Sequence, residues 1–219
     1  MSAPRHAIGR PLTAVAAVNS LPSLVLLSLV VMLASAIAAP PVAAQAVVAE
    51  DARAFSIGSG TLLLEAPASW KRVQPKSGIV ETEFAVPSAE ADARQGRMTV
   101  MGAGGTVQEN LDRWYGQFVQ PDGSATKDKA TTKTLKLAGC TVTMVDVSGI
   151  YKDTPGGPFA GGKTVDRPDY RMLAAIVEKP VGNGETERHF LKFYGPAATV
   201  AKSADGFRTM IEGMVPAGK

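Results

Sequence analysis

The chain has 219 residues with 23 basic and 20 acidic side chains and one cysteine, so its formal net charge is +3. Arg5 and Arg10 account for most of that excess, and the residues after position 46 carry 21 basic and 20 acidic side chains, about +1. A nearly neutral balance argues against nucleic acid as a partner. A single cysteine excludes an internal disulfide.

The first 46 residues have the composition of a secretory signal peptide. A basic start with Arg5 and Arg10 precedes an apolar run over residues 21–39, and the small-residue sequence Ala44-Gln45-Ala46 follows. This order predicts an exported protein, periplasmic or extracellular, with a cleaved leader. The alternative is an uncleaved helix over residues 21–39, because the run is close to the length that spans a bilayer. A membrane partner is expected only in that case.

The following residues predict a flexible segment over 47–60 and one domain over 61–215. Short apolar runs between turn signals predict the first strands, at Thr61–Glu65, Lys71–Val73, Ile79–Val86 and Arg97–Met101. In the third of these, alternation predicts that Val80, Phe84 and Val86 share a buried face. The acidic stretch 87–95 is expected to be a loop.

One helix is predicted after residue 106. Thr106 and Glu109 have the spacing of a capping box, in which each side chain satisfies a backbone amide of the other. The apolar residues then recur every three or four positions, at Val107, Leu111, Trp114, Tyr115 and Phe118. This spacing predicts one buried stripe on a helix that ends before Pro121. A polar loop is expected over 121–132.

The second half of the chain predicts two hairpins and a closing helix. The strands are predicted at Lys133–Leu137, Thr141–Tyr151, Tyr170–Glu178 and Arg188–Tyr194, and the helix at Ala197–Met214. Short turns such as Gly182–Gly184 make most neighbouring strands antiparallel. The predicted fold class is therefore α+β: a mostly antiparallel sheet of about seven or eight strands, flanked by two main helices.

Three segments resemble a known set of proteins. Asn110–Phe118, Arg171–Glu178 and Phe190–Pro196 are similar to uncharacterised exported bacterial proteins of the PsbP-like superfamily. The resemblance implies an α/β/α sandwich with helices on the faces of an antiparallel sheet. It implies no enzymatic activity, and fold kinship with a photosystem subunit does not transfer that subunit's role.

The segment Gly157–Thr164 matches the phosphate-loop pattern G-x-x-x-x-G-K-T. That loop requires a strand directly before it and a helix directly after it. Five residues separate the predicted strand from the motif, and Pro168 opposes a helix after Thr164. We therefore interpret the match as a coincidence in a Gly/Pro-rich loop.

The same loop, over residues 152–169, is long for a compact domain, which indicates either a binding role or a mobile linker. Its candidate binding residues are Phe159, Lys163 and Arg167. A second candidate is the glycine-rich turn that precedes the helix. Free amides at Gly104, Gly105 and Thr106 could hold an anion, although an ordinary tight turn is the simpler interpretation.

The remaining polar residues favour structural roles. Cys140 is expected to be a buried, unreactive thiol, and His189 alternates with Leu191 and Phe193 as a histidine within a strand. Asp146 and Arg171 are candidates for an ion pair between strands. No catalytic, cofactor-binding or metal-binding residue is assigned, and no cofactor is expected.

These observations favour an exported, non-catalytic domain that binds a protein or an envelope component. The alternative is a hydrolase or small-ligand-binding protein whose site is assembled from distant residues. That alternative predicts a deep pocket that contains a perturbed carboxylate or His189.

Overall fold

A computed structural model describes residues 53–90, 94–102, 104–155 and 163–218. The predicted signal peptide, residues 1–46, lies outside these ranges, and so does Phe159. The described residues belong to one compact unit. In chain order the elements are β1 (Ala54–Ile57), β2 (Leu62–Glu65), β3 (Lys71–Val73), β4 (Thr82–Val86), β5 (Gly96–Gly102), α1 (Val107–Tyr115), β6 (Phe118–Val119), α2 (Thr126–Lys129), β7 (Thr131–Leu137), β8 (Cys140–Asp153), β9 (Val165–Gly182), β10 (Glu185–Pro196), α3 (Ala197–Lys202), α4 (Ala204–Glu212) and β11 (Val215–Pro216).

Within the described ranges, the main sheet has eight antiparallel strands. Seven of the strands follow the order β3-β4-β5-β10-β9-β8-β6, and the eighth, β7, also pairs with β8. A smaller sheet has the order β1-β2-β11. Short connections join most neighbouring strands, which is why the pairs are antiparallel. The predicted α+β class with a mostly antiparallel sheet is confirmed.

The small sheet and the C-terminal helices cover one face of the main sheet, called here the first face. Phe55, Leu64 and Trp70 pack there against Phe84 and Phe193, all at most 5% exposed. The helix α4 adds its buried stripe, which consists of Phe207, Met210 and Ile211. Burial of this many large apolar side chains is the main source of stability in a domain that has no disulfide.

Helix α1 packs on the opposite face of the main sheet, the second face. The predicted capping box is present, because Glu109 N donates to Thr106 Oγ1 at 3.2 Å and Thr106 N donates to Glu109 Oε2 at 2.7 Å. Leu111 and Trp114 are buried there, and Trp114 meets Phe190 edge to face with ring centroids 5.5 Å apart. The amphipathic stripe of this helix thus anchors it to the centre of the sheet.

Several boundaries differ from the sequence-based expectation. Strand β1 lies inside the predicted flexible segment 47–60, since Phe55 and Ile57 alternate into the core. Helix α1 ends at Tyr115, so Phe118 lies on β6. The predicted loop 121–132 contains the short helix α2, and the closing helix divides at Ser203.

The largest difference concerns the predicted loop 152–169. Strand β8 continues to Asp153 and β9 begins at Val165, so both ends of that segment belong to the sheet. Gly149 pairs with Tyr170 and Tyr151 pairs with Arg167, which leaves one extra residue on β9. Such a β-bulge accommodates Pro168, whose missing N–H cannot join a ladder, and Asp169, whose φ is 54°.

Strands β5 and β10 approach each other closely where Gly195 faces Gly96. A Cβ atom on Gly195 would lie 2.9 Å from the Cα atom of Gly96, and backbone cannot move aside as a flexible side chain can. We expect Gly195→Ala to lower the free energy of unfolding by about 1–3 kcal/mol, measured by urea denaturation. The control is Gly78→Ala, where no atom lies within 4 Å. Equal effects of the two substitutions would contradict this packing.

Candidate functional site

The second face of the sheet carries a group of polar and aromatic side chains next to helix α1. We call it the tyrosine–lysine cluster: Gln117, Tyr151, Tyr170, Lys192 and Tyr194. Phe190, Lys192 and Tyr194 alternate along β10, so they project to the face on which α1 lies. Tyr151 comes from β8 and Tyr170 from β9, while Gln117 follows the end of α1.

Lys192 lies at the centre of this cluster. Its Nζ donates to Gln117 Oε1 at 2.5 Å and to the Tyr151 hydroxyl at 3.4 Å. The same Nζ lies 4.7 Å from the centroid of the Tyr194 ring and 5.2 Å from that of Tyr151. These distances are within the range of cation–π attraction. The amine is therefore held by a neutral amide and by two aromatic rings.

The rings of the cluster pack on one another. Tyr151 lies parallel to Tyr170, with an interplanar angle of 4° and centroids 5.9 Å apart. It contacts Tyr194 and Phe118 with centroids 5.2 Å apart in each case. Since Tyr151 is buried and each neighbour constrains it, the position of its hydroxyl beside Lys192 is well defined.

Among the described residues, no carboxylate forms an ion pair with Lys192. Burial of the amine, together with the nearby positive charge of Arg97, lowers the pKa of Lys192 to about 7, although Asp153 acts in the opposite direction. Burial also raises the pKa of the Tyr151 hydroxyl, which therefore keeps its proton. The cluster thus combines an amine that is partly neutral near pH 7 with a protonated phenol.

An arginine–carboxylate pair borders the cluster on β4 and β5. Arg97 Nε and Nη2 donate to the two carboxylate oxygens of Glu83, both at 2.8 Å, and Arg97 Nη1 donates to the Tyr194 hydroxyl at 2.9 Å. These bonds raise the pKa of Arg97 and lower that of Glu83. The bidentate geometry fixes the guanidinium next to the ring that covers Lys192.

A second pair borders the cluster at the ends of β8 and β9. Arg167 Nε and Nη2 both lie 3.1 Å from Asp153 Oδ2. Because of the bulge at Pro168 and Asp169, Arg167 and Tyr170 lie on the same face although three positions separate them. The ends of these strands carry the connection 154–164, so the predicted binding loop begins and ends beside this cluster.

The structure places the predicted loop residues differently. Arg167 is a strand residue in an ion pair, and Lys163 is exposed at the end of the connection. Phe159 lies outside the described residues. A strand, and not a helix, begins at Val165, so the phosphate-loop pattern lacks the helix that its chemistry requires. A binding role for these three residues stays a prediction.

The predicted anion turn is filled by a group of the protein itself. Gly104, Gly105 and Thr106 are exposed, and the amide and hydroxyl of Thr106 both donate to the Glu109 carboxylate. These bonds lower the pKa of Glu109. A second anion at Thr106 would meet this carboxylate, so the turn offers a weaker site than the cluster, and its anion-binding role stays a prediction.

Four residues were predicted to have structural roles: Cys140, Asp146, Arg171 and His189. Cys140 is 2% exposed, and burial raises the pKa of its thiol. Arg171 Nε and Nη2 donate to the two carboxylate oxygens of Asp146 at 2.8 and 2.6 Å, which confirms the ion pair between strands. Buried His189 lies 3.2 Å from Glu187 Oε1, but neither of its ring nitrogens forms a hydrogen bond with a described residue.

A groove of about 620 Å³ lies at the turn between β3 and β4. Its lining is polar and consists of Arg72, Val73, Gln74, Pro75, Lys76, Ser77, Gly78, Val80, Glu81 and Thr82. His189 does not line this groove, so the arrangement that the small-ligand alternative predicts is not found at this place. In the described ranges, no group of His, Cys, Asp and Glu side chains is arranged to hold a metal ion.

Sequence reasoning missed Lys192. The signal was present in the run Phe190-Leu191-Lys192-Phe193-Tyr194, where one lysine interrupts an apolar and aromatic strand. A charged residue between two aromatic residues of the same face is unusual for a buried strand. Its neighbours Gln117, Tyr151 and Arg97 come from three other parts of the chain and could not be connected to it without the fold.

The architecture defines an α+β sandwich in which an antiparallel sheet lies between helical layers. No family model matches the chain, and no curated protein matches it. In the described ranges, no helix has the length and apolar composition that crossing a membrane requires.

The solved structures that are similar to this chain include the following three. LpqN of Mycobacterium tuberculosis, described as involved in cell envelope biogenesis, has a TM-score of 0.46 and 11% identity, and the match covers 72% of this chain and 83% of LpqN. The cyanobacterial PsbP of Synechocystis has a TM-score of 0.44 and 11% identity over 75% of this chain and 91% of that protein. A Bacteroides thetaiotaomicron protein has a TM-score of 0.39 and 10% identity, and the match covers 76% of this chain and 49% of that protein.

A PsbP protein is thus among the structures that this chain resembles, as the sequence predicted. At such scores and identities the likeness carries no inference about activity, ligand or partner.

The unpaired amine has a consequence for stability. Because its pKa falls from 10.5 to about 7 on folding, the cost of burying the charge is fully present below pH 7 and disappears as the pH rises toward 10.5. We expect Lys192→Met to raise the free energy of unfolding by about 1–3 kcal/mol at pH 6 and by much less at pH 10. Urea denaturation at both pH values measures this difference.

The matched control is Lys133→Met on the exposed face of β7, for which we expect changes within about 0.5 kcal/mol at either pH. A gain for Lys192→Met that is equal at pH 6 and pH 10 would contradict the lowered pKa.

Proposed function

We propose that this chain is an exported, non-catalytic binding domain, and that its ligand is an anionic component of the cell envelope bound at the tyrosine–lysine cluster. One observation carries the proposal: Lys192 is a half-buried cation whose amine contacts a neutral amide and aromatic rings. A buried charge without a counter-ion is costly, so a ligand that brings the counter-ion gains binding energy.

The surroundings of Lys192 favour an anion over other ligands. Arg97 and Arg167 flank the cluster, and each is held in place by one carboxylate. The charges of Lys192, Arg97 and Arg167 outnumber those of Glu83 and Asp153. Because ion pairs already orient both guanidinium groups, a carboxylate or phosphate of the ligand loses little energy in ordering them.

The thiol of Cys140 and the imidazole of His189 lie in surroundings that do not suit a nucleophile or a general base, which supports a non-catalytic domain. The Cys140 thiol is buried with a raised pKa, which opposes thiolate formation. The ring of His189 makes no hydrogen bond to a residue that the structure describes, so no such bond orients it as a general base. Cys140 packs on the first face, and His189 projects to that face because it alternates along β10 with Lys192. The ligand is therefore expected to leave the cluster unchanged.

The export part of the proposal rests on the sequence of residues 1–46. The basic start, the apolar run over 21–39 and the Ala44-Gln45-Ala46 end have the order of a cleaved secretory leader. An uncleaved leader would instead tether the domain to a membrane.

Binding is expected to depend on the charge of Lys192. The amine is about nine-tenths protonated at pH 6 and about one-tenth at pH 8, so an anion should bind about tenfold more weakly at pH 8 and take up a proton on binding. Titration calorimetry with methyl glucuronide and, separately, with inorganic phosphate measures both effects. The two probes distinguish a saccharide carboxylate from a phosphate group.

Lys192→Met should weaken binding of the preferred probe by at least about tenfold, while the control Lys133→Met should leave it unchanged. Equal affinity of wild type and Lys192→Met, or binding of neither probe, would overturn an anion site at the cluster. Binding of a partner protein that Lys192→Met does not affect would assign the function to another surface.

The export proposal has its own test. We expect the intact mass of the protein isolated from its host to correspond to a chain that starts at Val47, since cleavage follows the Ala44-Gln45-Ala46 sequence. A mass that retains residues 1–46 would support the tethered alternative through residues 21–39.

A further inference from the structure

We infer that Lys192 forms imines: its neutral amine condenses reversibly with the carbonyl group of a small aldehyde or ketone that carries an anionic group. This inference goes beyond the proposed function, because it assigns a covalent modification site at the cluster. It rests on two contacts of the cluster: the Lys192 amine lies 3.4 Å from the Tyr151 hydroxyl, and Arg97 donates to the hydroxyl of Tyr194, the ring that covers the amine.

The hydrogen bonds of the amine leave it able to attack a carbonyl. Gln117 Oε1 is an acceptor and therefore binds an N–H of Lys192, so it does not occupy the nitrogen lone pair. In the described ranges no carboxylate pairs with the amine to hold it as an ammonium. Burial and a neighbouring positive charge are two influences that make lysines nucleophilic near neutral pH. At Lys192 both are present, since the amine is buried and Arg97 is nearby.

The Tyr151 hydroxyl, 3.4 Å from the amine, relays protons during the reaction and carries no net charge before or after it. The lone pair of Lys192 attacks the carbonyl carbon, the oxygen takes the π electrons, and a proton moves from nitrogen to oxygen to give a carbinolamine. The nitrogen lone pair then expels the hydroxyl group as water, with a proton from Tyr151. Loss of the remaining N–H proton returns a proton to Tyr151, so amine and carbonyl give an imine and one water without any oxidant.

Arg97 selects the class of carbonyl compound. Its guanidinium lies next to Tyr194, the ring that covers Lys192, and its side chain is 36% exposed. A carboxylate one or two bonds from the carbonyl carbon would meet this charge while the carbonyl meets the amine. The expected compounds are therefore short oxo acids and not neutral aldehydes.

The experiment traps the imine on the full chain with glyoxylate and sodium cyanoborohydride, between pH 5 and pH 9. Peptide mass mapping then measures the rate of carboxymethylation at each lysine. At pH 7 we expect Lys192 to react at least about tenfold faster than exposed Lys133. A model lysine peptide measures how the reagents themselves depend on pH, and the rates are corrected for this dependence. The corrected rate at Lys192 should level off above a midpoint near pH 7, whereas the rate at Lys133 should rise throughout.

Two variants test the roles of the neighbours. Tyr151→Phe should slow trapping at Lys192 several-fold, and replacement of glyoxylate by acetaldehyde should remove most of the preference for Lys192 over Lys133. Lys192→Arg should abolish the preferred label without creating another, and circular dichroism verifies that it is folded. Equal labelling of Lys192 and Lys133, or a Lys192 rate that still rises at pH 9, would overturn the inference.

The outcomes separate this inference from the proposed function. Methyl glucuronide has no free carbonyl group, so its binding cannot depend on imine formation. Trapping at Lys192 without anion binding would leave the inference standing and overturn the proposed function. Anion binding with no selective trapping would support the proposed function and overturn the inference.

Discussion

The main sheet is buried on both faces along its centre, and the rest of the molecule depends on that constraint. From Met172 to Val177, six consecutive residues of β9 are at most 4% exposed. A strand of this kind needs a covering layer on each side, because successive side chains of a strand point to opposite faces of the sheet. The small sheet with α3 and α4 supplies one layer, and α1 supplies the other.

The second layer is shorter than the strands it covers, and the cluster arises from that mismatch. Helix α1 has nine residues, whereas β9 has eighteen and β10 has twelve. Beyond the end of α1, the second face is closed by tyrosines and by the aliphatic stem of Lys192. Amphipathic side chains suit such a place, since they bury apolar surface and keep a polar end near the surface.

Much of the fold could be predicted from local patterns. The capping box at Thr106 and Glu109 identified the start of α1, and alternation placed Phe84 and Val86 on one face of β4. The ends of β8 and β9 could not be predicted, because Asp153, Asp166 and Pro168 resemble loop residues by composition. They form strands because the pairing with their neighbours continues past the buried centre, with a bulge at Pro168.

The candidate site was less predictable than the fold for a physical reason. Lys192, Gln117 and Arg97 are separated by 75 and 95 positions of chain, and only the pairing of β5 with β10 and the packing of α1 bring them together. The Asp146–Arg171 pair was predicted because one of two opposite charges lies in the middle of a predicted strand and the other at the start of a second strand. Lys192 has no opposite charge as a partner among the residues that the structure describes, and its aromatic neighbours resemble ordinary core residues.

The place of Cys140 has a consequence for redox chemistry. The only thiol of the chain begins β8, is 2% exposed and contacts the carbonyl oxygen of Ala138 at 3.7 Å. In an oxidising compartment an exposed thiol would link two copies of the chain through a disulfide. Since Cys140 is 2% exposed, its sulfur reaches a second chain only after the structure around it opens locally. Burial of the thiol thus opposes covalent dimerisation of the chain through a disulfide.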